Sequence, residues 1–221
     1  MRLVKKDNHS CVVAIAGGIA CGKTQACKCF KELGAVVIDA DDIAHELLTI
    51  GHPVYEKVIE EFGNSILRAD KSIDRRILGK IVFHVESDRK KLESIMHPEI
   101  LRRLFDSINE SSVAGAFVVV QIPLLFSLDL DDEPWDAIIY VHSRKDIVMQ
   151  RLIGRGHTPE EASERVMSQM PTFIQAARSN FVIKNNWSLE HLENSVKELF
   201  CQIITKKDLE YDYYGQHPHT K

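Results

Sequence analysis

Eight residues, Gly17-Gly18-Ile19-Ala20-Cys21-Gly22-Lys23-Thr24, satisfy the pattern G-x-x-x-x-G-K-[ST]. The pattern carries a mechanism: glycines let the backbone fold so that successive N–H groups face one point, and a following helix adds the positive end of its dipole. Lys23 supplies a point charge for outer phosphates, and the Thr24 hydroxyl is a ligand suited to magnesium. Ala20 and Cys21 stand at free positions, where the main chain does the binding; their cost is small at negative φ and larger if either must be left-handed. Cys21 has two readings, a thiolate favoured by Lys23 and a helix N-terminus, or a buried inert thiol. Further on, "VIDADDIAHELL" ends an apolar run in acids, and a carboxylate there can serve as general base for an acceptor hydroxyl. Asp42 is read as the N-cap of the helix that follows.

The elements that must hold these residues are legible as alternating patterns. Residues 11–16 form a β-branched apolar run into the loop, and Gly22 to Leu33 follows with helical spacing until Gly34. A second strand is expected in "AVVIDADD". Residues 52–110 change character to successive charged, amphipathic helices without a strand. Buried-strand runs return at 114–126 and 135–143, Arg144–Arg155 and "TPEEASERVMSQ" read as helices, "NFVIKNN" is a last short strand, and Leu189–Ile204 closes the fold as an amphipathic helix before a loose tail. Strands alternating with helices predict an open parallel α/β sheet of about five strands, covered on both sides. The expected layout is one domain: a core of 11–50, 112–148 and 180–205, a helical insertion at 51–111, a lid at 149–179 and a tail at 206–221.

Bulk composition narrows the function. The 221 residues carry a formal net charge of −4, which argues against a protein built on nucleic-acid phosphates and leaves small anionic ligands open. No signal peptide and no membrane-length apolar run is read, and five cysteines without a Cys-x-x-Cys pair suit a reducing cytoplasm. Cys27 and Cys29 lack the second ligand pair that zinc needs. No Asn-Lys-x-Asp segment marks a guanine-reading switch. The residues leave three readings open: a kinase for one small acceptor, another small-molecule kinase of the nucleoside monophosphate type, or a nucleotide-binding regulator without chemistry.

The stretches "GGIACGKT", "LGAVVIDADDIAHELL", "GHPVYEKVIEEFG", "IDRRILGKIVF", "LESIMHPEI", "IPLLF", "QRLIGR" and "VIKNNWS" resemble, in order, those of the dephospho-CoA kinase family. The resemblance runs from about residue 12 to about residue 200. It implies a P-loop NTPase-like fold and transfer of the ATP γ-phosphoryl group to the ribose 3′-hydroxyl of dephospho-CoA, with ATP and Mg2+ as cofactors. It implies Asp41 as the base, Lys23 and Arg155 as catalytic cations, and Asp39, His45 and His97 on the acceptor side; by residue type alone His97 could cap a helix begun by Pro98. ATP contacts are implied at Gly18, Ile19, Ala20, Cys21, Gly22, Lys23, Thr24, Gln25 and Asn185, with Mg2+ on Thr24. The partners expected are the two small-molecule substrates, with no nucleic acid or membrane, in a monomer or weak homo-oligomer of the cytoplasm. Three residues depart from the family's pattern: Ser127 where glutamate is usual, Gln175 where a basic residue is usual, and Asn180 where an acid is usual.

Overall fold

The computed structural model describes residues 10–112, 115–123, 125, 130, 133 and 135–216, with the side chains of 83–84 and 207–216 set aside. It contains a five-stranded sheet in the order β2-β3-β1-β4-β5, with β1 Cys11–Gly17, β2 Val36–Asp39, β3 Phe117–Gln121, β4 Ala137–His142 and β5 Phe181–Lys184. β1 pairs in parallel with β3 and β4, and β4 with β5. The buried positions of β1, β3 and β4 are almost unbroken, as the apolar runs require of a sheet covered on both faces. After β1 the chain moves to one side of that strand, and after β3 it crosses to the other. The carboxyl end of β1 is therefore a topological switch point, where open α/β sheets bind ligands.

The chain divides into two compact units, Asp39–Ser107 and Arg2–Ile38 with Ile108–Lys221. In the sheet unit, α1 (Lys23–Glu32) and α9 (Leu189–Gln216) pack together over one core. Phe30, Phe117 and Phe200 join α1, β3 and α9, with ring centroids 4.7 to 6.3 Å apart. Between β4 and β5 the chain forms α6 (Lys145–Gly154), α7 (Pro159–Met167) and α8 (Thr172–Ala177), over the stretch expected as a lid. α7 opens on a capping box in which Thr158 and Glu161 exchange hydrogen bonds with each other's backbone. The helical unit comprises α2 (Ala40–Leu47), α3 (Pro53–Phe62), α4 (Arg75–His84) and most of α5 (Glu86–Ser111), with a short 3-10 turn at Asn64–Ile66.

Four expectations change. Helix α9 continues to Gln216, through the stretch read as a loose tail, because residues 205–214 hold no glycine or proline and many good helix formers. β3 stops at Gln121, since Pro123 cannot donate to a ladder, although Ile122 N still reaches Ile15 O at 3.0 Å. No helix begins at Pro98: His97 and Pro98 lie inside α5, where Met96, Leu104, Phe105 and Ile108 are buried on both sides of the proline and keep the helix continuous. The N-cap of α2 is Asp39, whose Oδ1 accepts from Asp41 N at 2.9 Å, so Asp42 sits in the first turn instead. Ser127 lies outside the described residues.

At Gly17 the sheet leaves no space for a side chain. A Cβ there would stand 2.5 Å from Val141 O and 2.8 Å from Cys21 Sγ. The carbonyl belongs to the strand paired with Gly17 and cannot move aside. Gly17→Ala is expected to destabilise the protein by about 1–3 kcal/mol, read as a lower midpoint in urea denaturation.

Candidate active site

The phosphate loop begins where β1 ends and passes into α1 through Gly22, whose φ of 102° gives the helix a left-handed N-cap. Ala20 is also left-handed, with φ 54°. Of the two conditions set by the sequence, the costly one holds at Ala20. That strain is offset by packing, because Ala20 is buried in a cluster with Val148, Leu152 and Ala162, against which Ile19, Met149 and Val166 also pack.

The loop's carbonyls are held from within the protein. Lys23 Nζ donates to Gly17 O at 2.8 Å and Gly18 O at 3.0 Å. Arg151 Nη1 donates to Ala20 O at 3.1 Å, and Asn185 Nδ2 to Cys21 O at 2.9 Å. The Ser143 hydroxyl lies 2.6 Å from Asn185 O and 3.1 Å from Cys21 O and accepts from Arg151 Nη1 at 3.0 Å; Arg151 Nη2 also reaches Asn185 O at 3.2 Å. Ser143 and Asn185 are buried. With these carbonyls engaged, the first turn of α1 and the loop N–H groups other than those of Ile19 and Cys21, which donate within the protein, are the donors available to an anion. Gly22 must be bare, since a Cβ would collide with the Asn185 carboxamide.

Sequence-predicted residues fall into both units. Gly18, Ile19, Ala20, Cys21, Gly22, Lys23, Thr24, Gln25 and Asn185 are together in the sheet unit, with Thr24 exposed in the first turn of α1. Arg155 is the exposed C-cap of α6. Asp39, Asp41, His45 and His97 belong to the helical unit; Asp41 and His45 are exposed and one turn apart on α2. His45 lines a hollow of about 310 Å³ with Leu48, Thr49, Ile50, Ser72, Ile73 and Arg75. A second cavity, of about 390 Å³, lies beside Gly18 and Ile19 and is walled by Tyr140, His142 and the lid residues Val166–Phe173 that face it. Burial pushes the Tyr140 hydroxyl up to about 12, and burial with the nearby Lys184 charge holds His142 below its ordinary range, so both are neutral in that wall near pH 7.

Neither Ser143 nor Arg151 was given a role by the sequence. A serine directly after a buried strand and an arginine four residues before Arg155 were the available signals. Gln175 and Asn180 have local work: Gln175 Nε2 donates to Met170 O at 2.8 Å, and Asn180 Oδ1 accepts from Ile138 N at 2.7 Å as an aspartate oxygen could. Among the described residues no group of three or more His, Cys, Asp or Glu side chains could hold a metal. The Thr24 hydroxyl at the loop fits an ion of the magnesium kind, completed by phosphate oxygens and water.

The family model for dephospho-CoA kinase matches residues 11–191. The chain belongs to the dephospho-CoA kinase family. It is 40% identical over 200 residues to a dephospho-CoA kinase of Carboxydothermus hydrogenoformans, covering 88% of this chain and 93% of the relative. Among solved structures it is similar to a dephospho-CoA kinase from Campylobacter jejuni (27% identity, TM-score 0.61) and to the protein TT1252 from Thermus thermophilus (26%, TM-score 0.73). Each alignment covers 88% of this chain and 98% of the other. Family membership makes the chain a kinase, and no helix among the described residues is long and apolar enough to cross a membrane.

Cys21 resolves in favour of the inert thiol. It is 2% exposed, and burial raises its pKa against the lowering pull of Lys23 and Arg151. Cys29 is likewise raised, chiefly by burial. A buried acid with a raised pKa favours the folded state below its ordinary ionisation, near 9.0 for a thiol, and that contribution is lost as pH rises above it. Cys11, Cys21, Cys27 and Cys29 are buried and Cys201 is exposed. An aromatic disulfide reagent at pH 8 is expected to label Cys201 in the native protein and Cys21 only after denaturation, as peptide mapping would show. Rapid native labelling of Cys21 would mean that the loop opens or that the thiolate is favoured.

Proposed function

We propose that this chain catalyses ATP-dependent phosphorylation of the ribose 3′-hydroxyl of dephospho-CoA, forming coenzyme A. The observation that carries the reading is the phosphate loop, its carbonyls engaged by Lys23, Arg151 and Asn185, in a chain of this family. The loop amides bind the phosphates, and Lys23, now bonded to Gly17 O and Gly18 O, turns its charge onto their outer oxygens. Thr24 would hold Mg2+, which when bound would supply charge neutralisation to the phosphates. Arg155, at the exposed end of α6, stabilises the charge on the transferring phosphoryl group.

On the acceptor side, Asp41 takes the proton of the ribose hydroxyl as the hydroxyl oxygen attacks the γ-phosphorus and the bond to the β–γ bridging oxygen breaks, releasing ADP. Its backbone is fixed by the Asp39 cap, which makes Asp39 a positioning residue for the base. His45 and Arg75 line the largely apolar hollow of the helical unit, which suits an acceptor with an apolar arm and an anionic diphosphate. His97, half-buried in α5, belongs to the same unit. Five cysteines without a Cys-x-x-Cys pair fit work in a reducing cytoplasm.

Purified protein with ATP, magnesium and dephospho-CoA is expected to form coenzyme A, with AMP as a poor acceptor. Phosphorylation of AMP and none of dephospho-CoA would contradict the assignment. Asp41→Asn is expected to lower kcat by about 10²–10⁴-fold while leaving ATP affinity within about twofold. Unchanged turnover would reduce Asp41 to a helix-start residue.

A further inference from the structure

Two adjacent residues of the phosphate loop hold α6 and the far end of α7. α6 is fastened at Ala20, whose carbonyl accepts from Arg151 and whose methyl packs among Val148, Leu152 and Ala162. α7 packs on α6 through the same cluster, and two residues beyond its last turn the Gln169 Oε1 accepts from Ile19 N at 2.8 Å. Gly18 makes room for this contact, because a Cβ there would lie 3.1 Å from that oxygen. Arg155 caps α6 at the bend between the two fastened ends, where Gly156 turns the chain with φ 93°.

We infer that Gln169 is a positioning residue for phosphoryl transfer: by tying the end of α7 to the Ile19 amide, it fixes the lid hairpin and so sets where Arg155 stands over the phosphate loop. The inference rests on the reading of Arg155 as the lid cation. α6 is anchored through Arg151 and the Ala20 cluster, and α7 is held to it by packing; the Gln169 bond gives the end of α7 its own fixed point on the adjacent loop residue. Because Gln169 is exposed and belongs to no apolar core, the tie contributes to geometry far more than to folding. Its loss raises the fraction of ATP-bound enzyme in which the lid is misplaced, which lowers transfer and admits water to the terminal phosphoryl group.

The test compares wild type, Gln169→Ala and Gln169→Glu, using whichever acceptor the wild type phosphorylates, so that it stands apart from the identity of that acceptor. The quantities are kcat for transfer, ATP hydrolysis without acceptor, ATP affinity by calorimetry and thermal midpoint. For Gln169→Ala, kcat is expected to fall about tenfold, the ratio of hydrolysis to transfer to rise at least threefold, and ATP affinity and midpoint to stay near wild type. Gln169→Glu keeps an oxygen for the Ile19 amide and is expected to recover much of kcat at saturating ATP, with weaker ATP binding from its added charge. If Gln169→Ala keeps kcat and the ratio within twofold of wild type, or loses ATP affinity alone, the positioning role is wrong. A Gln169→Glu variant no better in kcat than Gln169→Ala would equally overturn it.

Discussion

A phosphate loop can bind anions only if its carbonyl oxygens are turned away from the space its N–H groups enclose, and that constraint organises the sheet unit. The oxygens of Ala20 and Cys21 are held by Arg151 from α6 and Asn185 from the end of β5, while Ser143 at the end of β4 joins the two supports. Three elements distant in sequence thus converge under one loop. A buried hydrogen bond contributes on the order of 1 kcal/mol net, but a carbonyl left unpaired there costs about 1–3 kcal/mol, so the arrangement forms as a whole or poorly. The bare α-carbons at Gly17 and Gly22 follow from the same closeness, since strand and carboxamide press against them.

Helices α6 and α7 are built onto that arrangement. Arg151 supports the loop from below, and four residues later on the same helix Arg155 ends α6 in solvent. A side chain committed to structure and one committed to charge therefore share a helix whose footing is Ala20 itself. The left-handed Ala20 has a reason in this: its methyl is the apolar contact that glycine would lack, at the cost of a strained φ. Loop shape and lid position are consequences of one cluster.

Much of this was legible in the sequence. The apolar runs pointed to the strands, most clearly to β1, β3 and β4, which are buried on both faces, and the loop pattern singled out a candidate anion site without any tertiary information. What the pattern could not convey was long-range pairing: Ser143 and Gln169 carry no motif, and the backbone groups they bond lie 42 to 150 residues away. Cys21 was ambiguous for a related reason, since a neighbouring lysine and a helix end argue for a thiolate until burial is known. His97-Pro98 looked like a helix start because proline is usually a boundary, and only the buried residues on both sides of it keep α5 whole. Gln175 and Asn180, departures by family pattern, keep ordinary local hydrogen bonds and leave the loop untouched.

The central claim is that the support beneath the loop, and not Lys23 alone, makes it a phosphate site. Calorimetric titration of ATP into Asn185→Ala, with the thermal midpoint confirming a folded protein, tests this directly. Removal of the donor to Cys21 O is expected to weaken ATP binding about tenfold with Lys23 intact, corresponding to roughly 1.4 kcal/mol. Affinity within twofold of wild type would contradict the account.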